Sequence, residues 1–101
     1  MKKYRVIVSD DAYLALDQII HYKIESSQTL SGAIKFREEI LGAIKSLDQF
    51  PERGKPYKYG LRGIIVMEHL LLYSIDESQQ IVLITDIADP RQLAVFRKYY
   101  E

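Results

Sequence analysis

The hydrophobic pattern of this chain changes its period once, across residues 47–63, and that change limits the fold more than any other feature. Upstream, apolar residues recur at helical spacing; downstream, they occur in short runs rich in β-branched residues. The segment between, LDQFPERGKPYKYGLRG, holds two prolines and three glycines, so it forms neither a long helix nor a central strand. Helices followed by a block of strands predict an α+β protein.

Two amphipathic helices are predicted in the first half of the chain. The apolar stripe of the first is Ala12, Leu16, Ile19, Ile20 and Ile24. Ser9, Asp10 and Asp11 precede it, where capping oxygens and acids are favoured. The stripe of the second is Ala33, Phe36, Ile40, Ile44 and Leu47, with Ser31 as the expected N-cap. The short polar link between the stripes predicts an α-helical hairpin.

Four strands are predicted around this hairpin. Residues 4–8 form the first, and the runs LRGIIV, HLLLYSID and QQIVLITDIA form three consecutive strands after the loop. Met67-Glu68 and residues 77–79 are their hairpin turns, and residues 91–100 can add a short C-terminal helix. The expected order is β-α-α-β-β-β in a single domain over residues 1–101, with the helical hairpin packed on an antiparallel sheet.

Composition excludes several functional classes. With 48% hydrophobic and 28% charged residues, a soluble globular protein is expected, and the longest apolar run, IIVMEHLLLYSI, is interrupted by Glu68 and His69. His69 itself is expected at the surface, as a polar residue at a strand start. There is no cysteine, and His21 and His69 are 48 positions apart, so neither a metal nor another cofactor is expected. The expected location is cytoplasmic.

Charge is unevenly distributed although the formal net charge is zero. Residues 51–63 carry a single acid, Glu52, against four cations: Arg53, Lys55, Lys58 and Arg62. Residues 1–8 and 91–101 are also net positive. A sheet that brought these segments together would have a basic face, which the neutral total conceals.

The order of elements, with the residues at their joints, resembles the RelE/ParE superfamily of toxins from type II toxin–antitoxin (plasmid stabilisation) systems. The helix of Leu16 and Tyr22 is similar to the first helix of that family, and FPERG, residues 50–54, is similar to its loop. Leu61-Arg62, LLLYSID and IVLITDIADPRQ resemble its later strands. The resemblance implies a small bacterial protein that inhibits growth until a cognate antitoxin binds it in a toxin–antitoxin hetero-oligomer, with no membrane partner.

Two activities occur on this fold. ParE-like members poison DNA gyrase, whereas RelE-like members are endonucleases that cut mRNA on the ribosome. For the nuclease, the resemblance implies a catalytic set of Arg62, Arg91, His69 and Tyr99. That set is thin, since Leu70 stands where the nucleases have an arginine and GIIVM lacks their lysine. A gyrase inhibitor is therefore the preferred interpretation, a ribosome-dependent mRNA endonuclease is the alternative, and enzymatic activity stays open.

The resemblance also implies two binding surfaces. The residues expected to contact the cellular target are Arg53, Lys55, Lys58, Arg62 and Arg91. The residues expected to receive the antitoxin, because they are apolar and lie off the core stripes of the helices, are Tyr13, Ile34 and Leu41.

Some of the conspicuous residues have a structural interpretation as well. Arg62 can pair with an acid of the neighbouring strand such as Glu68. Tyr73, in a leucine-rich strand, is expected in the core with its hydroxyl at the edge. Asp86, if it faces inward, requires a cationic partner, and Arg91 or Arg62 is the candidate.

Overall fold

The computed structural model describes residues 3–26 and 29–89 and confirms the predicted α+β order. The helices are α1 (Asp10–Glu25) and α2 (Leu30–Ser46). The strands are β1 (Arg5–Val8), β2 (Lys55–Pro56), β3 (Leu61–Val66), β4 (His69–Asp76) and β5 (Ile81–Ala88). The two-residue strand β2 adds to the expected order. The C-terminal helix expected over residues 91–100 lies outside the described residues.

The sheet is mixed, with the strand order β1-β5-β4-β3-β2. Strands β3, β4 and β5 pair antiparallel, as predicted for consecutive hairpin strands. Strand β1 instead runs parallel to β5, with Val6 opposite Val82. A parallel pair cannot be joined by a tight turn, and here both helices and the other strands separate β1 from β5 along the chain.

The N-cap of each of these helices is a hydroxyl residue. The Ser9 hydroxyl accepts a hydrogen bond from the amide of Ala12 at 3.1 Å and caps α1, as predicted. Helix α2 is capped by Thr29 rather than by Ser31, because the Thr29 hydroxyl accepts from the Gly32 amide at 3.0 Å. Thr29 has the extended backbone that an N-cap needs, whereas Ser31 already lies inside the first turn. In the part of the chain that the structure describes, neither helix is long and apolar enough to cross a membrane.

The helical hairpin covers one face of the sheet and forms the main core with it. Fully buried side chains from both layers meet there, among them Phe36, Ile40, Leu47, Leu71, Tyr73, Val82 and Ile84. Ile24, placed on the core stripe by its spacing, is 45% exposed. At 100° per residue Ile24 is rotated by roughly 120° from Ala12, so its side chain points away from the sheet.

A bulge in β5 decides which of its residues enter the core. Leu72 lies opposite Asp86 but Tyr73 lies opposite Ile84, so Thr85 is an extra residue, and its hydroxyl donates to the Leu72 carbonyl at 3.2 Å. Strict alternation would place Asp86 on the same face as Ile84. The bulge shifts the alternation by one residue, and Ile87 joins the main core instead.

The face of the sheet opposite the helices carries a smaller apolar cluster. Leu70, Leu72 and Ala88 are fully buried there, and the half-buried Tyr57 packs against them. Tyr57 follows β2, so this contact lays the segment between α2 and β3 across that face. The loop that interrupts the sequence pattern is therefore part of the packed structure.

Candidate functional site

The basic loop, residues 51–60, joins α2 to β3 and contains three short elements. A 3-10 turn covers Pro51–Arg53, strand β2 pairs with Arg62 and Gly63 of β3, and a second 3-10 turn covers Lys58–Gly60. The Tyr57 amide donates to the Leu61 carbonyl at 2.7 Å and closes the last turn. Backbone pairing with β3 is thus limited to a few residues, and a two-residue strand alone is a weak attachment.

The hydroxyl of Tyr73 attaches the basic loop to strand β4 of the sheet. Tyr73 lies in β4 with none of its side chain exposed, so the core prediction is confirmed. Its hydroxyl is not at an open edge, however: it donates to the Pro51 carbonyl at 2.6 Å and accepts from the Gly54 amide at 2.9 Å. Burial raises the pKa of Tyr73, so the phenol stays protonated and keeps both bonds at neutral pH.

Glycine is required at position 54 by this contact. A Cβ atom there would lie 2.5 Å from the Tyr73 hydroxyl oxygen and 2.9 Å from the Gly63 carbonyl oxygen. Neither neighbour is the free end of a flexible side chain, since the hydroxyl is held by two hydrogen bonds and the carbonyl belongs to β3. The absence of a side chain at Gly54 therefore lets the loop approach β4 closely.

Arg62 holds the same loop from β3. Its Nη1 donates to the Gly54 carbonyl at 2.7 Å and to the Glu52 carbonyl at 3.3 Å. The predicted alternative of pairing with Glu68 is wrong, because Arg62 lies opposite Tyr73 in the register while Glu68 is in the turn at the other end of the hairpin. The guanidinium is half-buried and directed to the backbone of the basic loop.

The remaining cations of the loop are presented to solvent. Lys55 and Lys58 are exposed. Arg53 is exposed as well, and its guanidinium donates to the Ser46 hydroxyl, which donates in turn to the Ala43 carbonyl of α2 at 2.6 Å. The basic loop thus carries three of the five expected target-binding residues, all exposed, and Arg62 of β3 is hydrogen-bonded to the loop. The fifth, Arg91, lies outside the described residues.

His69 is buried and distant from the basic loop, so its expected place at the surface is wrong. Only 5% of it is exposed, and its ring centroid lies 4.6 Å from that of Phe36. Nδ1 lies 2.7 Å from the Met67 carbonyl oxygen, which can only accept, so Nδ1 carries the proton of the neutral ring. His69 pairs with Val66, four residues beyond Arg62 on β3, or roughly 13 Å along the strand.

The environment of His69 disfavours its charged form. Burial lowers its pKa, and Lys23, whose ammonium lies 4.8 Å from the Phe36 ring centroid, lowers it further. The hydrogen bond with Met67 and the carboxylates of Asp89 and Glu68 act in the opposite direction and are outweighed. A cavity of about 400 Å³ adjoins the ring, between α1 and the β3–β4 turn.

Asp86 is half-buried, and its carboxylate accepts a hydrogen bond from the amide of Ile87 at 2.8 Å. Burial raises its pKa, and the nearby Asp11 adds to the effect. Arg62 is not its partner, because the hydrogen bonds of that guanidinium go to the basic loop. Pairing with Arg91 stays a prediction, since Arg91, like Tyr99, lies outside the described residues.

An apolar groove lies between α1 and α2, away from the basic loop. This helical groove encloses about 630 Å³ and is lined by Tyr13, Leu14, Leu16, Asp17, Ile20, Arg37 and Leu41. The structure thus brings Tyr13 and Leu41 together, and their role in docking stays a prediction. Ile34 is 49% exposed on α2 but does not line the groove. Leu14, 56% exposed, lines the groove and was not among the predicted residues, although it too is apolar and lies off the core stripes.

Several solved structures have folds similar to that of this chain. The chromosomal ParDE system of P. aeruginosa matches with a TM-score of 0.70 and 18% identity over 86% of this chain and 96% of that one. The RelBE2 toxin–antitoxin complex of Mycobacterium tuberculosis matches with 0.59 and 23% identity over 86% and 98%. A mutant of E. coli RelE in the free state matches with 0.64 and 11% identity over 96% and 94%. These matches show that the chain shares the fold of these proteins.

The family follows from the sequence itself. The family model described as ParE toxin of type II toxin-antitoxin system, parDE, matches residues 6–94. This match spans the helical groove, the basic loop and the sheet from Val6 onward. The chain therefore belongs to the ParE toxin family of type II toxin–antitoxin systems. A comparison with curated proteins finds no match.

Replacement of Gly54 by alanine tests the close approach of the loop to Tyr73. We expect Gly54→Ala to lower the free energy of unfolding by roughly 1–3 kcal/mol, because the added Cβ overlaps a fixed hydroxyl. Gly42→Ala is the matched control: nothing lies within 4 Å of a Cβ at this helical position, and alanine there should stabilise by about 0.5–1 kcal/mol. Urea denaturation measures both, and equal effects of the two changes would contradict the assigned contact.

The burial of His69 predicts a pH-dependent stability. Its pKa is lower in the folded than in the unfolded chain, so the folded state binds fewer protons. We expect stability to be full above about pH 6.5 and to fall as the pH drops below it, by at most about 1.4 kcal/mol per pH unit. His69→Asn, which can still donate to the Met67 carbonyl, should flatten this slope, whereas His21→Asn on the exposed face of α1 should leave it unchanged. Denaturation midpoints of the parent protein and both variants, measured between pH 5 and pH 8, show whether His69 causes the slope.

Proposed function

We propose that this protein inhibits bacterial growth by binding DNA gyrase through the basic loop, and that a cognate antitoxin neutralises it by docking on the helical groove. In this proposal the chain acts in the cytoplasm as a single toxin domain. It forms a toxin–antitoxin hetero-oligomer when its antitoxin is present. Membership of the ParE toxin family supports a growth-inhibiting role, and the geometry of the site supports the choice of target.

The separation of His69 from Arg62 is the observation that carries the choice between binding and RNA cleavage. Cleavage by a ribose hydroxyl requires a base, an acid and cations gathered around one phosphate. The structure describes two residues of that set, Arg62 and His69, and they lie toward opposite ends of the β3–β4 hairpin. His69 is buried against Phe36, and Arg62 donates hydrogen bonds to carbonyls of the basic loop. This arrangement favours a binding surface.

The distribution of charge supports the same choice. A protein that binds ribosomal RNA relies on many phosphate contacts, and its affinity depends on a strong positive charge. This chain has a formal net charge of zero, and the exposed cations described at the site lie in one loop. A small basic surface of this kind is sufficient to complement an acidic patch on a protein target.

The helical groove has the shape and polarity of a helix-binding surface. Its walls are apolar, from Tyr13 and Leu14 on one helix and Leu41 on the other, and Asp17 and Arg37 add one charge of each sign. An amphipathic segment that places its apolar face between two such walls buries a row of side chains spaced three and four residues apart. An antitoxin of the paired system is therefore the proposed occupant.

Assays with purified gyrase test the target. We expect the protein to inhibit supercoiling by gyrase or to accumulate cleaved DNA, and to leave ribosome-bound mRNA intact. Lys55→Glu combined with Lys58→Glu should weaken gyrase binding, because both changes reverse charge on the exposed loop. Lys35→Glu with Lys45→Glu, the same charge change on exposed positions of α2, should leave gyrase binding intact. Cuts in ribosome-bound mRNA would overturn the gyrase proposal in favour of the endonuclease.

Binding of the antitoxin tests the helical groove. Tyr13→Glu and Leu14→Glu place charge in the groove at positions 59% and 56% exposed, so both variants should fold normally. We expect each to weaken the complex with the antitoxin encoded beside the toxin and to leave gyrase inhibition unchanged. Ile65→Glu, 59% exposed on β3, is the matched control and should bind the antitoxin normally. Unchanged affinity in the groove variants, measured by calorimetry, would exclude this surface.

A further inference from the structure

The polar contacts of the basic loop converge on one residue, Gly54, whose amide and carbonyl belong to the two peptide groups on either side of it. The Gly54 amide donates to the Tyr73 hydroxyl, and the Gly54 carbonyl accepts from the guanidinium of Arg62. The same two side chains also reach the carbonyls of Pro51 and Glu52. Arg62 and Tyr73 are directly opposite each other on β3 and β4, so adjacent strands hold the loop at one place.

We propose that Tyr73 and Arg62 are positioning residues for the target: together they form a clamp that fixes the backbone of residues 51–54 and thereby the direction of the exposed cations Arg53 and Lys55. Arg62 then acts on the target through the loop and not by direct contact. The inference rests on the proposed role of the basic loop in target binding.

The clamp is needed because the loop has little else to hold it at this point. Strand β2 begins at Lys55, directly after Gly54, and its ladder with β3 is only two residues long. On the other side, the Arg53 side chain donates to the Ser46 hydroxyl of α2. Without the clamp, the two peptide groups that flank Gly54 would lose these side-chain hydrogen bonds.

Rigidity of the loop has a direct consequence for affinity. A cation on a mobile loop must be ordered when the target binds, and the lost entropy reduces the binding free energy. A loop that is already ordered avoids that loss. The hydroxyl of Tyr73 and the guanidinium of Arg62 should therefore affect gyrase binding although neither reaches gyrase.

A double-mutant cycle separates positioning from stability. Tyr73→Phe removes only the hydroxyl, and Lys55→Ala removes an exposed cation that contributes little to folding. We expect Lys55→Ala to weaken binding to purified gyrase in the parent protein, and this effect to shrink on the order of tenfold in the Tyr73→Phe background, a coupling of about 1.4 kcal/mol. A purely stabilising hydroxyl would leave the effect of Lys55→Ala unchanged in a folded variant.

Tyr4→Phe is the matched control for the loss of a buried hydroxyl. Tyr4 is 8% exposed, and its hydroxyl donates to Glu77 in the β4–β5 turn at 2.8 Å rather than to the basic loop. It should lose stability without changing gyrase affinity or the effect of Lys55→Ala. If Tyr73→Phe behaves like Tyr4→Phe in the binding cycle, the positioning role is wrong.

The double variant of Arg62→Ala and Tyr73→Phe tests whether both side chains act through the loop. If both side chains act through one clamp, their losses of gyrase affinity should not add. The double variant should then bind gyrase no more weakly than the single variant with the lower affinity. Additive losses would show that Arg62 contacts the target directly and would overturn its role in the clamp.

Amide hydrogen exchange distinguishes failure of the clamp from failure of the gyrase proposal. If the parent protein does not bind gyrase, the proposed target is wrong, and the clamp is still measured by exchange at Gly54 and Lys55. We expect faster exchange there in Tyr73→Phe than in Tyr4→Phe at equal global stability. Equal rates in the two variants would overturn the clamp whatever the target is.

Discussion

The hydrogen bonds of the Tyr73 hydroxyl are the interaction on which the arrangement of this protein most depends. They join the centre of the sheet to the segment that leaves α2, at Pro51 and Gly54. Because the phenol is buried, each bond also satisfies a polar group that water does not reach, and a loss would leave donor and acceptor unpaired. The position of the basic loop, the need for glycine at 54 and the direction of Arg62 all follow from this attachment.

The two candidate surfaces belong to different parts of the fold and have different chemistry. The helical groove is apolar and is formed by α1 and α2, so its shape depends on the packing of two helices over the sheet. The basic loop is polar and is held by side chains from β3 and β4. An apolar groove suits a segment that folds as it binds, whereas exposed cations suit a preformed acidic surface.

The bulge at Thr85 changes which residues of β5 face the core. The extra residue Thr85 removes Asp86 from the core alternation and places Ile87 there. A carboxylate inside the core would have required a cation beside it, and Arg62 is occupied elsewhere. The bulge lets a strand that carries an acid pack against α1.

Local sequence patterns were sufficient to predict the two helices, the four longer strands, their order and the turn at Met67-Glu68, because each depends on neighbouring residues. The family resemblance rested on the order of these elements and the residues at their joints. The sequence also indicated the basic loop and two residues of the helical groove, the exposed Tyr13 and the half-buried Leu41. It could not determine that His69 is buried against Phe36, that Arg62 bonds to the loop rather than to Glu68, or that β1 runs parallel to β5. Those features depend on contacts between residues distant in the chain, and only the tertiary structure, through packing and strand register, decides which of them form.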